Sequence, residues 1–200
     1  MRLYDNPGST NAIKVAVLLD ELGVECERIL TPMRGPKPAG YPHPFGMVPV
    51  LVDGDVVITE SNVALRYLAE RFERPDLRGA TPAERARIDV LLDSLSLEVR
   101  PALWGVEEFA IYGDPVSNEG ERIATLEQQL AGYDQLLDPD GPWATSAGLT
   151  IADCALAGRA FHVPKLPLDP ACAPRLRRVL TALAARPSVR AATTAWPPHG

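Results

Sequence analysis

The 200-residue chain has no Cys-x-x-Cys pair. Cys26, Cys154 and Cys172 are an odd number scattered along it, which argues against both a disulfide framework and a thiolate metal site and for reduced thiols. No metal centre is expected. A long basic run is missing too: the densest stretch, Arg175 to Arg178, reads as a helix face, and a net charge of -6 makes nucleic acid a poor partner. No hydrophobic stretch approaches the length of a membrane span, and Met1 to Asp5 lead straight into a turn, so the expectation is a cytoplasmic protein without a membrane partner. No internal repeat occurs. What is present, 46% hydrophobic and 23% charged residues, describes a globular chain that can bury a core as one large domain or two small ones.

The apolar spacing changes character near Thr81. Before it, short β-rich runs alternate with two helical patterns; after it, apolar residues recur at helical spacing throughout. Leu3-Tyr4 reads as a first strand, Asn6 to Ser9 as a turn, Ala12 to Leu22 as a mostly buried helix stopped by Gly23, and Glu25 to Leu30 as a strand parallel to the first. Val50 to Ile58 forms a hairpin across Asp53-Gly54, and a helix from Glu60 to Arg71 follows. This β-α-β, irregular segment, β-β-α order is that of a thioredoxin-like domain over 1–75. The polar, Pro- and Gly-broken stretch after Glu73 supplies a linker at 76–81, and an all-α domain occupies 82–200. Within that domain Thr81 to Glu84 is a capping box, and its helix should run to about Arg100, bend at Pro101 and continue towards Tyr112. Asn118 and Glu121 offer a second capping pair. Thr150 to Asp153 offers a third, opening an apolar helix through Phe161; Arg175 to Arg186 closes the bundle.

Three features of the first domain suit one kind of ligand. Ser9, Thr10 and Asn11 stand at the start of the first helix, where open N–H groups and partial positive charge let a hydroxyl favour a thiolate; the same residues also serve as plain helix caps. Val48-Pro49 enters a strand, and Val48 N–H and C=O, if turned outward, pair with a peptide-like ligand as an added strand would; an ordinary trans proline is the alternative. Glu60 and Ser61 begin the next helix, a position suited to a carboxylate or, again, to a cap.

Taken together, their order and spacing resemble the cytosolic glutathione transferases. Leu-Tyr-x-x-Pro-Gly-Ser from Leu3, Val-Pro-Val-Leu-Val-Asp-Gly from Val48 and Glu-Ser-Asn-x-Ala-Leu-Arg-Tyr-Leu-Ala from Glu60 form the family's first-domain pattern, and Leu149 to Asp153 resembles its buried capping box. The resemblance spans nearly the whole chain. It implies glutathione as co-substrate, an acceptor pocket between the domains and a homodimer, with Phe45 and Tyr67 as exposed interface candidates. Carried over, Val48 and Pro49 hold the cysteinyl backbone of glutathione and Glu60 and Ser61 its γ-glutamyl end. Ser9 matches the serine of Pro-Gly-Ser classes, Thr10 the cysteine position of one bacterial class, and Asn11 the asparagine of Asn-x-x-Lys classes. The family's catalytic tyrosine falls at Asp5. Trp104, Phe109 and Tyr112 stand where the family lines its acceptor pocket.

The chain departs from the pattern between Thr31 and Met47, where five prolines rule out the usual helix and Met47 replaces the Lys or Gln that precedes Val-Pro. Arg34, Lys37 and His43 are candidates for the missing contact. Three functions are consistent with this reading. In the first, the glutathione thiol is activated for addition to a small electrophile. In the second, the same thiolate serves isomerisation, dehalogenation, elimination or disulfide reduction. The third is a binding protein of this fold without chemistry.

Overall fold

The computed structural model describes residues 1–194. The final six residues of the expected helical domain lie outside the described residues. The first domain is built from β1 (Arg2–Asp5), α1 (Thr10–Leu22), β2 (Glu27–Leu30), β3 (Val50–Asp53), β4 (Val56–Ile58) and α2 (Ser61–Arg71). Its sheet runs β2-β1-β3-β4, with β1 and β2 parallel and the other pairs antiparallel, so the expected βαβ unit and hairpin are both present. Period-2 alternation sorts β1 between two faces: Leu3 joins the main core with α1 and α2, while Tyr4 joins Val50 and Val52 on the other side. That second face is covered by the proline-rich segment, whose Tyr41 ring meets Tyr4 edge to face at 5.2 Å. No helix forms between Thr31 and Met47.

The segment expected to be a linker contains one turn of helix, α3 (Pro75–Arg78), with Pro75 at its first position and Leu77 buried. The second domain follows as α4 (Pro82–Ser94), α5 (Arg100–Ala110), α6 (Glu119–Leu136), α7 (Ile151–Ala157), α8 (Pro174–Ala184) and α9 (Pro187–Thr194). Thr81 and Glu84 form the reciprocal capping box, at 3.2 and 2.9 Å. The break between α4 and α5 is a π-helical turn, Leu95–Val99, rather than a bend at Pro101 alone. Proline has no N–H to continue the ladder, and a wide turn just before it accommodates the lost bond. Asn118 does not cap α6. It sits at φ 62° with its Oδ1 taken by Arg122 Nε at 3.3 Å, and its amide donates to Glu121 Oε2. The buried helix α7 stops at Ala157, short of Phe161, and α9 adds a last element whose Val189 is fully buried. No helix of the described residues is long and apolar enough to cross a membrane.

One contact sets how the domains meet. A Cβ on Gly158, at the end of α7, would lie 2.7 Å from the Thr10 carbonyl oxygen and 2.8 Å from Thr10 Cα. Only a residue without a side chain lets the start of α1 and the end of α7 approach this closely.

Candidate functional site

Strand register brings three of the expected regions to one edge of the sheet. Tyr4 pairs with Val50 and Leu51 with Ile58, so the C-terminal end of β1, the start of β3 and the end of β4 are neighbours. The turn before α1, the Val48-Pro49 step and the start of α2 therefore face the same region.

The turn is fixed by Asn6, whose Oδ1 accepts from Gly8 N–H at 2.8 Å and whose amide donates to the Thr31 carbonyl at 2.9 Å. Ser9 then caps α1, its Oγ accepting from Ala12 N–H at 3.3 Å. Accepting leaves the hydroxyl hydrogen available, and no acceptor for it exists among the described residues. Thr10 is turned against Gly158, and Asn11 is half-buried. Asp5, in the family's tyrosine position, is buried and paired with Arg28.

The Val48-Pro49 peptide is cis. Among the described residues neither the N–H nor the C=O of Val48 has a hydrogen-bond partner, although Val48 is half-buried. At α2, Glu60 is the N-cap and no side chain caps the helix, so the first-turn N–H groups from Ser61 onward stay open. Of the three residues considered for the missing contact, two are committed within their own loop. Lys37 Nζ donates to the Pro32 and Met33 carbonyls, and His43 is buried with Nδ1 accepting from Phe45 N–H at 3.1 Å. Arg34 is exposed. Met47 is 54% exposed.

Trp104 and Tyr112 come together, with ring centroids 5.9 Å apart, and both keep substantial exposure. Phe109 does not join them; it packs half-buried against the core. Tyr67, expected to be exposed, is partly buried, its hydroxyl donating to Asp53 Oδ2 at 2.8 Å, while Phe45 is 82% exposed.

A model of the glutathione S-transferase N-terminal domain matches residues 3–76. Glutathione S-transferase 3 of Zea mays is 30% identical over 98% of this chain and 95% of its own length. The chain belongs to the glutathione S-transferase family. Other relatives carry other names: a stringent starvation protein A homolog of Coxiella burnetii is 28% identical over 83% of this chain and 77% of its own. Among solved structures, a theta class glutathione S-transferase from Xanthomonas axonopodis pv. citri with glutathione bound has a TM-score of 0.77 at 25% identity, each chain covered to 96%.

Beside the α1 start this member of the glutathione S-transferase family holds a buried polar cluster that sequence reasoning did not single out. Lys14, 3% exposed among the apolar residues of α1, donates to Asn62 Oδ1 at 2.6 Å. Asn62 in turn donates to the Leu92 carbonyl and Ser96 Oγ, tying α1 and α2 to the helical domain. Burial, with Arg159 and Arg100 nearby, pushes the Lys14 ammonium down from 10.5 to about 7 against the opposing pull of Glu60. Just beyond α7, Arg159 Nη1 donates to Oε1 of Glu107 on α5 at 3.0 Å and His162 Nδ1 lies 3.1 Å from the same oxygen, all three groups being buried. Burial lowers the Arg159 guanidinium despite the Glu107 charge, and Arg100 adds to the lowering. Burial and Glu107 push the Tyr112 phenol up, while Arg159 and Arg34 act against them. The signals were charged residues interrupting apolar stretches: Lys14 between Ile13 and Val15, the Glu107-Glu108 pair between Val106 and Phe109, Arg159 beside Ala160.

Proposed function

We propose that this chain binds glutathione along the sheet edge and activates its thiol for addition to a small electrophilic organic molecule, working in the cytoplasm as a homodimer. The observation that carries the reading is the unpaired backbone of Val48, with N–H and C=O both free, flanked by two helix starts with donors to spare. In this reading Val48 takes the cysteinyl backbone as an added strand would, with Pro49 fixing the turn, and the γ-glutamyl carboxylate meets Ser61 and the open N–H groups of α2 beside Glu60. The sulfur then lies at the start of α1. There Ser9 donates its unused hydroxyl hydrogen and the helix terminus favours the thiolate. Thr10 and Asn11 are its rivals for that role, and the Thr10 backbone lies against Gly158. Catalysis is nucleophile activation plus positioning. Exposed Phe45, Val63, Val90 and Leu97 are available to a second copy.

The test separates binding from chemistry. Ser9→Ala should raise the pH at which bound glutathione ionises and lower the rate at saturating glutathione about tenfold or more, with little change in affinity. Ser61→Ala should do the reverse, weakening glutathione binding roughly fivefold and sparing the chemical step. An unchanged thiol titration in Ser9→Ala would transfer the role to whichever of Thr10→Val and Asn11→Ala does shift it. The relative named for stringent starvation favours a second reading, a binding protein of this fold. Saturable glutathione binding without turnover over a broad electrophile panel would support it.

A further inference from the structure

We infer that the acceptor taken by this site carries an anionic group, a carboxylate in the simplest case, bound by Arg159 and Arg100 beside the Trp104–Tyr112 face. The inference rests on the glutathione-transfer reading above and names the substrate class it implies.

Arg159 is 6% exposed, and only Nη1 of its fork is used, on Glu107. Nε and Nη2 have no acceptor among the described residues, and the side chain as a whole keeps 7% exposure. A guanidinium this deep normally spends its fork on a carboxylate, in a bidentate pair where it can. Glu107 meets only one tooth of that fork, through an oxygen that also faces His162. The position is set by the domain seam: Arg159 follows Gly158, which touches Thr10, so the guanidinium belongs to the region where the sulfur would stand.

Charge around it is unbalanced in the same sense. Arg100 and Arg159 lie within electrostatic reach of each other and of Lys14, which keeps its proton only up to about 7, and Glu107 and Glu60 oppose them. The exposed Arg100 side chain makes no hydrogen bond or ion pair to another described residue, and Arg34 in the proline-rich loop lies within electrostatic reach of Tyr112. A neutral apolar acceptor would leave this excess cationic charge unanswered in a partly dry cleft. An anion would pair with it, and the exposed aromatic pair, its rings tilted 46° to each other, supplies an apolar wall for the rest of the molecule. Glutathione's own glycyl carboxylate shares the chemistry, so the experiment must distinguish the two.

Calorimetric titration of the full chain with glutathione, S-benzylglutathione and S-(para-carboxybenzyl)glutathione does so without requiring turnover. The carboxybenzyl conjugate should bind about fivefold or more tightly than the benzyl conjugate. Arg159→Met and Arg100→Gln should each reduce that preference and leave glutathione affinity unchanged. Arg100 is exposed, so its variant stands as the test even if Arg159→Met does not fold. Equal binding of the two conjugates by the parent overturns the inference while leaving glutathione transfer in place. So does a preference that survives the Arg100 variant and every folded Arg159 variant. A parallel weakening of all three ligands assigns the guanidinium to glutathione itself and likewise overturns the inference. Failure of all three to bind the parent overturns the glutathione reading and this inference together.

Discussion

Two helix starts in this molecule use the same chemistry to opposite ends. At α7, Asp153 Oδ1 accepts from Ala144 N–H at 2.7 Å, and Oδ2 accepts from Thr150 N–H at 2.8 Å and Thr150 Oγ1 at 3.0 Å; Thr150 and Asp153 have no exposure at all. At α1, Ser9 makes one long capping bond from a half-buried position and keeps its own hydrogen in reserve. The side-chain groups of Thr150 and Asp153 are spent inside the fold, whereas Ser9 has capacity left over. A helix terminus becomes a site when its groups are reachable and not already satisfied.

Asp153→Ala is the sharpest way to test that contrast and should have the largest effect. It strands buried N–H groups of Ala144 and Thr150, so unfolding free energy should fall by about 2–4 kcal/mol in denaturant titrations, with glutathione affinity of the remaining folded protein unchanged. Unchanged stability with lost binding would put Asp153 in the site.

Lys14 comes next, because it is as buried as Asp153 but charged for only part of the pH range. The unfolded lysine keeps its proton up to about 10.5 and the folded one only to about 7. Between those values the unfolded state binds more protons, so this group adds stability as pH rises and loses it as pH falls towards 7. Relative to Lys14→Met, the parent should therefore gain up to about 2 kcal/mol between pH 7 and pH 9. A pH-independent difference between the two proteins would mean that Lys14 holds its proton throughout.

The smallest expected effect on stability is at Ser9. Removing one exposed-side cap should cost about 1 kcal/mol or less, in contrast to the loss at Asp153, while the rate falls as described above. A cost at Ser9 equal to that at Asp153 would erase the distinction between the two starts.

How much of this could be read from the sequence followed the range of the physics involved. Caps are local, so Thr81 with Glu84 and Thr150 with Asp153 were legible from a four-residue window. Asn118 with Glu121 had the same spacing, but Arg122 competes for the asparagine oxygen, a contact that cap spacing does not reveal. The hairpin at Asp53-Gly54 and the strand order followed from period and turn chemistry. The π turn before Pro101 was not legible, because proline signals a break without saying how the chain absorbs it. Lys14, Glu107 and Arg159 were missed for a different reason: their partners are up to 55 residues away, and a charge in an apolar setting becomes meaningful only when the facing element is known. Of the aromatics expected at the acceptor pocket, Trp104 and Tyr112 lie together and Phe109 turns to the core, an arrangement that depends on how the end of α5 packs and not on spacing alone.

The missing side chain at Gly158 makes the seam between the domains behave like a fulcrum. With backbone against backbone at Thr10, there is no soft side chain to absorb motion, so a tilt of α7 is delivered directly to the first turn of α1. A molecule that wedges apart the acceptor side of the cleft must therefore also shift the residues proposed to face the sulfur. By the same logic, even a methyl group added at residue 158 would act as a shim, resetting the spacing between the two halves of the cleft without altering a single residue proposed to touch a ligand.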